Sequence, residues 1–193
     1  MHKAAVDSCF DVAFWLLDRA LDEGEYLQPQ KMHRLMFLAQ GYYASARHGE
    51  KLMPATFVHG PEGPVEPTVY RAMERGRPMV DTSPLGEEVT HVLDSVWRQF
   101  GAKSVERLNS AISNHPPVLD ARENGEGTEI SYDAIVEFYH KALSRNIKGA
   151  GAGLAKKTGD ALAPSRVLRP KIMKSHTGKT VAVDPWTPRR VED

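Results

Sequence analysis

The chain has a single cysteine among its 193 residues, no long hydrophobic run and no net charge. With Cys9 alone, no disulfide can form within the chain, which is compatible with a reducing compartment. No window approaches the roughly 18 consecutive apolar residues of a membrane span. The apolar N-terminal segment is interrupted by Asp7, Asp11 and Asp18, which a secretory signal would not tolerate. We therefore expect a cytoplasmic protein without a membrane partner.

The formal net charge of zero conceals a division between the body of the chain and its C-terminal part. Residues 144–193 hold 11 Lys and Arg against 4 Asp and Glu, a net charge of +7. The other 143 residues hold 14 against 21, a net charge of −7. A basic tail is compatible with a solvated extension, with docking on an acidic partner surface or with contact to nucleic acid.

Hydrophobic periodicity predicts a mainly α fold. We expect a single compact helical domain of about six helices over residues 4–145, with a possible small two-stranded β element. Residues 146–193 contain many Gly and Pro residues and few large apolar ones. They are predicted to form a basic extension that is disordered alone or ordered on a partner.

Capping residues and prolines predict where the helices begin and end. Predicted helix starts lie near Asp7 or Ser8, Pro29, Pro67, Leu85, Ser104 and Ser131. Pro116 and Pro117 are predicted to break the fifth helix, and a polar loop is expected from there to Ser131. Residues 55–59 could form one short strand, with a second around Met79 and Val80.

Residue patterns for chemistry are sparse. No His-x-x-x-His pair exists. Two Glu-x-x-His pairs do, Glu88 with His91 and Glu137 with His140, but random placement of these residues already gives about 0.6 such pairs, which weakens the signal for a metal. No nucleophile elbow and no phosphate-binding glycine loop are present. We expect no metal, no cofactor and no enzymatic activity. A hydrolase assembled from Cys9 and distant histidines is the alternative that these patterns leave open.

Three segments resemble the Panacea domain of SocA-type antitoxins and of phage-associated GepA-like proteins. They are residues 12–17 (VAFWLL), 27–43 (LQPQKMHRLMFLAQGYY) and 63–70 (GPVEPTVY). The family pattern is roughly VANWFL, then L-T-P-x-K-L-Q-K-L-L-Y-F-A-Q-G-W-Y, then Y-G-P-V-V-P-x-V-Y. Residues 93–97, followed by Phe100, Gly101 and Ser104, also fit the later part of the domain. The resemblance covers about residues 8–143, although Glu62 stands where the family often has an aromatic residue.

The resemblance implies an antitoxin that binds its cognate toxin directly. SocA-type members also act as proteolytic adaptors that deliver a toxin, SocB, to the ClpXP protease, so a SocB-like toxin and ClpXP are the partners that it implies. Candidate partner-binding residues are Lys31, Arg34, Tyr42, Tyr43, Gly63, Pro64, Tyr70 and Trp186. The three tyrosines lie at helical spacing among apolar neighbours, so each could belong to the core or to an interface.

The sequence also bears on nucleic-acid partners and on self-association. A DNA-binding transcriptional regulator that uses the basic tail is the alternative function. However, the body is acidic and carries no evident recognition helix, so we do not expect a nucleic-acid partner. Homo-oligomer formation is also possible.

Overall fold

The computed structural model describes residues 4–152, 172–174 and 180–182 and confirms a mainly α fold with a small antiparallel β element. The chain divides into two compact units, Met1–Asp160 and Ala161–Asp193. Within the described residues the helices are α1 (Cys9–Asp22), α2 (Pro29–Ala46), α3 (Pro67–Met73), α4 (Glu87–Phe100), α5 (Val105–Ile112), α6 (Pro116–Glu123) and α7 (Tyr132–Ala152). The strands are β1 (Val58–Gly60), β2 (Gly63–Val65), β3 (Ile172–Lys174) and β4 (Thr180–Ala182). Helix α7 continues past the predicted domain limit at residue 145, and that limit stays a prediction.

Local signals fix the start and end of α1. The Ser8 side chain accepts a hydrogen bond from the Phe10 N–H at 3.2 Å, and the Ser8 N–H donates to Asp11 Oδ2 at 2.9 Å. These bonds form a capping box, which satisfies N–H groups that have no partner within the helix. After the helix, Gly24 adopts a φ of 74°, a conformation that glycine reaches without steric cost.

Helix α2 is the centre of the first unit. It packs against α1, α4, α5, α7 and β2. Apolar residues such as Leu35, Met36 and Phe37 are fully buried, because contacts surround the helix on nearly all sides. At Gly41 the α7 helix approaches so closely that an added Cβ would lie 2.4 Å from the ring of Tyr139. The glycine therefore permits close packing of α2 on α7.

The structure corrects the predicted loop after Pro116. Helix α5 ends at Ile112, before the two prolines, and Pro116 and Pro117 begin α6 where a polar loop was predicted. Proline fits the first turn of a helix because the N–H that it lacks would have had no partner there. Val118 and Ala121 of α6 are buried in the core, and this packing stabilises a helix that its sequence alone signals weakly.

The structure also corrects the position of the second predicted strand. Met79 and Val80 lie exposed in the connection between α3 and α4. The partner of β1 is β2, and the two strands pair antiparallel with Gly60 opposite Gly63. The tight turn at Pro61 and Glu62 brings them together, and Gly63 with a φ of 127° permits that turn.

Candidate functional site

A buried arginine joins α2 to the β1–β2 hairpin. Arg34 is 1% exposed. Its Nη1 donates to the Pro64 carbonyl at 2.8 Å, and its Nη2 donates to the Glu62 carbonyl at 2.5 Å. Its Nε donates to Asn109 Oδ1 at 2.7 Å. One planar guanidinium thus binds the hairpin and α5 to α2, which suits the fork of donors that arginine carries.

Arg34 reaches these partners without a carboxylate at ion-pair distance among the described residues. Burial lowers the pKa of Arg34 to about 10, and the Glu62 carboxylate opposes that shift. The guanidinium therefore stays charged at neutral pH. Three neutral oxygens compensate in part for the water that this buried cation has lost.

The hairpin is shaped to receive Arg34. Gly63 has a φ of 127°, and a Cβ at this position would lie 3.1 Å from Arg34 Nε. Any side chain here would meet both backbone strain and the guanidinium. Gly63 therefore serves the close approach between hairpin and arginine.

A second set of contacts lies beside Arg34. His33 Nδ1 accepts from the Glu66 N–H at 3.3 Å, while the Glu66 carboxylate accepts from the Val69 N–H at 2.6 Å and caps α3. The other ring nitrogen of His33 is buried and has no partner among the described residues. Tyr70 lies with its ring centre 6.1 Å from that of His33. We call this region the Arg34 junction. It consists of His33 and Arg34 together with residues 62–70, the part of the hairpin and α3 that they contact.

The pKa of the Cys9 thiol does not favour a role for Cys9 as a nucleophile. Burial, followed by the charge of Glu66, raises the pKa of Cys9 to about 11. Burial, followed by the charge of Arg34, lowers the pKa of His33 to about 4. A catalytic Cys–His pair needs the opposite shifts, because the thiolate is the nucleophile and a charged imidazole stabilises it. These pKa shifts give no support to the alternative of a hydrolase that uses Cys9.

The structure separates the three candidate tyrosines. Tyr43 is 2% exposed and belongs to the core. Tyr42 packs its ring against Phe100 and Tyr139, with ring centres 5.7 and 5.3 Å apart. Tyr70 is 53% exposed. Tyr42 is half-buried, so Tyr70 is the tyrosine of the three that offers a partner the most exposed surface.

The other candidate residues fall into three groups. Arg34 and Pro64 are buried inside the Arg34 junction, and Gly63 is half-buried beside them. Lys31 lies at the start of α2 with its Nζ 3.8 Å from a carboxylate oxygen of Glu25. Trp186 lies outside the described residues.

Two cavities adjoin the turn of the hairpin, and Pro61 and Glu62 line both. One has a volume of about 210 Å³ and includes His33 and Tyr70 in its wall. We call it the Tyr70 cavity. The other has a volume of about 330 Å³ and includes Arg122 in its wall. We call it the Arg122 cavity.

Sequence reasoning did not single out Asn109 or Arg122. Asn109 lies 75 residues from Arg34 in the chain, and a lone Asn in an amphipathic helix carries no signal of a distant partner. Arg122 lies on the helix that the sequence predicted as a loop. Covariation between Arg34 and Asn109 in aligned sequences is the signal that could reveal the first pair.

The geometry describes a mainly α domain in which a buried arginine holds a surface hairpin between two cavities. Comparisons with protein-family models, with curated proteins and with solved structures find no match to the chain. Within the described part of the chain, no helix is both long and apolar enough to cross a membrane. That part also contains no group of three or more side chains placed to hold a metal ion.

Proposed function

We propose that this chain is a cytoplasmic, non-enzymatic antitoxin of the Panacea type that neutralises a cognate toxin by direct contact. Support comes first from the order and spacing of the three segments that resemble the family. Residues 27–43 contain nearly all of α2, and residues 63–70 form β2 and the start of α3. The observation that carries the proposal is the Arg34 junction, in which these two segments bond directly to each other.

The surface around Tyr70 is where we expect the toxin to bind. Tyr70 is half-exposed beside a cavity of about 210 Å³, which suits a single anchoring side chain better than a drug-sized ligand. Tyrosine is enriched among the residues that dominate binding energy at interfaces. The exposed turn at Pro61 and Glu62 lies on the rim of the same cavity. Together these features offer a fixed surface with an aromatic anchor.

The finer part of the proposal is that the antitoxin delivers its toxin to the ClpXP protease. An adaptor acts by raising the effective concentration of a substrate at the enzyme. The basic segment over residues 146–193 is proposed to contact the protease or the toxin, because its net charge of +6 (10 Lys and Arg against 4 Asp and Glu) suits an acidic surface. Deletion of residues 146–193 should slow toxin degradation. An unchanged toxin half-life would refute the role of the tail.

Growth of a bacterial host tests the proposal. The gene adjacent to this one would be expressed alone, with the wild-type chain, and with Tyr70→Ala or Tyr26→Ala variants. Tyr26 is 82% exposed and serves as the matched control outside the Tyr70 cavity. We expect toxicity alone, rescue by wild type and Tyr26→Ala, and weakened rescue by Tyr70→Ala at equal protein levels. The proposal is contradicted if the product of the adjacent gene is not toxic, or if the wild-type chain leaves its toxicity unchanged. Salt-dependent binding of this chain to duplex DNA would instead favour the DNA-binding regulator.

A further inference from the structure

The Arg122 cavity presents polar side chains from two helices. Its volume of about 330 Å³ lies at the low end of the range for small-molecule sites. Asn109 and Ser110 of α5 and Arg122 of α6 line it beside the hairpin turn. His59 also lines it, and its Nδ1 is buried without a partner among the described residues.

The amide of Asn109 has a fixed orientation. Its Oδ1 accepts from Arg34 Nε at 2.7 Å, and a flipped amide would place its own donors against that donor. The Nδ2 group therefore presents two N–H donors, for which the described residues supply no acceptor. The Ser110 hydroxyl likewise makes no hydrogen bond within the described part of the chain. The cavity wall thus holds donors that lack acceptors.

The charge of the cavity favours an anion. Arg122 is exposed, and its guanidinium makes neither an ion pair nor a hydrogen bond with any described residue. The Arg34 cation lies directly behind Asn109. Glu62 is the single acidic residue in the cavity wall, and Arg122 is the single arginine there. Arg34 does not line the cavity but bonds to Asn109 and to the Glu62 carbonyl, so two guanidinium groups lie in or next to the wall with one carboxylate. An acceptor-rich, negatively charged group satisfies both the free donors and this excess of positive charge.

We propose that the Arg122 cavity binds a small oxyanion, either phosphate or a carboxylate, through Arg122 and the Nδ2 group of Asn109. Arg122 supplies an exposed cation, and Arg34 holds the Asn109 amide in place from behind. Arg34 is accordingly a positioning residue for this site. The inference does not depend on the proposed antitoxin function.

Titration of the full-length protein followed by NMR tests the site. Sodium phosphate and sodium acetate are added separately, with sodium chloride at matched ionic strength as the reference. The variants are Arg122→Gln, Asn109→Asp and the control Arg75→Gln, which removes an exposed arginine outside the cavity wall. Asn109→Asp retains an oxygen for Arg34 but replaces the N–H donors with a negative charge. Its unfolding midpoint should therefore equal or exceed that of wild type.

The expected result is a saturable shift of the backbone amide signals of Ser110 and Ser113, which line the cavity and are present in every variant, in wild type and in the control. Arg122→Gln and Asn109→Asp should each lose about tenfold or more in affinity, since each removes charge-assisted hydrogen bonds. Preference for phosphate over acetate, or the reverse, identifies the anion, and either supports the site. Binding no stronger than that of chloride overturns the proposal, as does saturable binding that Arg122→Gln leaves unchanged.

Discussion

Replacement of Arg34 by Lys tests how much the buried guanidinium that joins α2 to the hairpin contributes to stability. Lysine keeps the buried charge, so the cost of desolvation remains. The compact ammonium cannot reproduce a planar fork that reaches Asn109, Pro64 and Glu62 at 2.5 to 2.8 Å. The substitution therefore isolates the geometric contribution of the guanidinium.

The magnitude follows from the hydrogen bonds that are lost. A hydrogen bond to a charged group contributes about 1.5–3 kcal/mol, and we expect lysine to retain about one of the three. The Glu62 carbonyl and Asn109 lie near solvent and recover part of the loss, whereas the Pro64 residue is buried. We expect a loss of about 3 kcal/mol, which corresponds to roughly 6–12 °C in the unfolding midpoint of a domain of this size.

Urea unfolding followed by far-UV circular dichroism measures this loss. The exposed Arg75→Lys variant is the control and should stay within about 0.5 kcal/mol of wild type. Hydrogen exchange should also accelerate in the hairpin of Arg34→Lys. The reasoning is refuted if the free energy of unfolding of Arg34→Lys lies within about 0.5 kcal/mol of the wild-type value while the dependence on denaturant concentration is unchanged.

Three more predictions concern packing and protonation. Gly41→Ala should destabilise the protein by about 2 kcal/mol or more, because the added Cβ would overlap the buried Tyr139 ring. Gly86→Ala is the control and should be tolerated, because a Cβ at Gly86 would face open space. Thermal unfolding compares the two variants. Cys9, with its pKa raised to about 11, should not react with a thiol reagent at pH 8 until the protein unfolds, and rapid labelling of native protein would contradict its burial. The pKa of His33 is lowered to about 4, so its stabilising contribution is complete above pH 6.5 and lost as the pH falls through 4. Urea midpoints should fall more steeply over that range in wild type than in His33→Gln, and equal slopes would contradict this.

The sequence predicted those parts of the fold that depend on nearby residues. Ser8, Pro29 and Ser104 mark helix starts because capping and the φ of proline act within one turn. Pro116 misled the prediction because one residue type both ends a helix and begins the next. The partner of β1 was misplaced because two three-residue strands carry too little periodicity to identify each other.

The candidate site depended on contacts between distant residues, and these were harder to predict. Arg34 was among the candidates, but its partner Asn109 follows 75 residues later and no local pattern joins them. The three tyrosines have similar apolar neighbours in sequence. Only the packing of α2 against α4 and α7 shows that Tyr42 is partly covered and Tyr43 buried, while Tyr70 stays exposed.

Co-purification with the product of the adjacent gene tests the central claim, direct binding to a toxin, most directly. The two proteins would be co-expressed, with an affinity tag on this chain alone, and analysed by size-exclusion chromatography with light scattering. The account predicts a stable complex that elutes as one species and that Tyr70→Ala weakens by at least 1 kcal/mol, about fivefold in dissociation constant. Separate elution of the two proteins, while this chain still suppresses toxicity, would contradict neutralisation by direct contact.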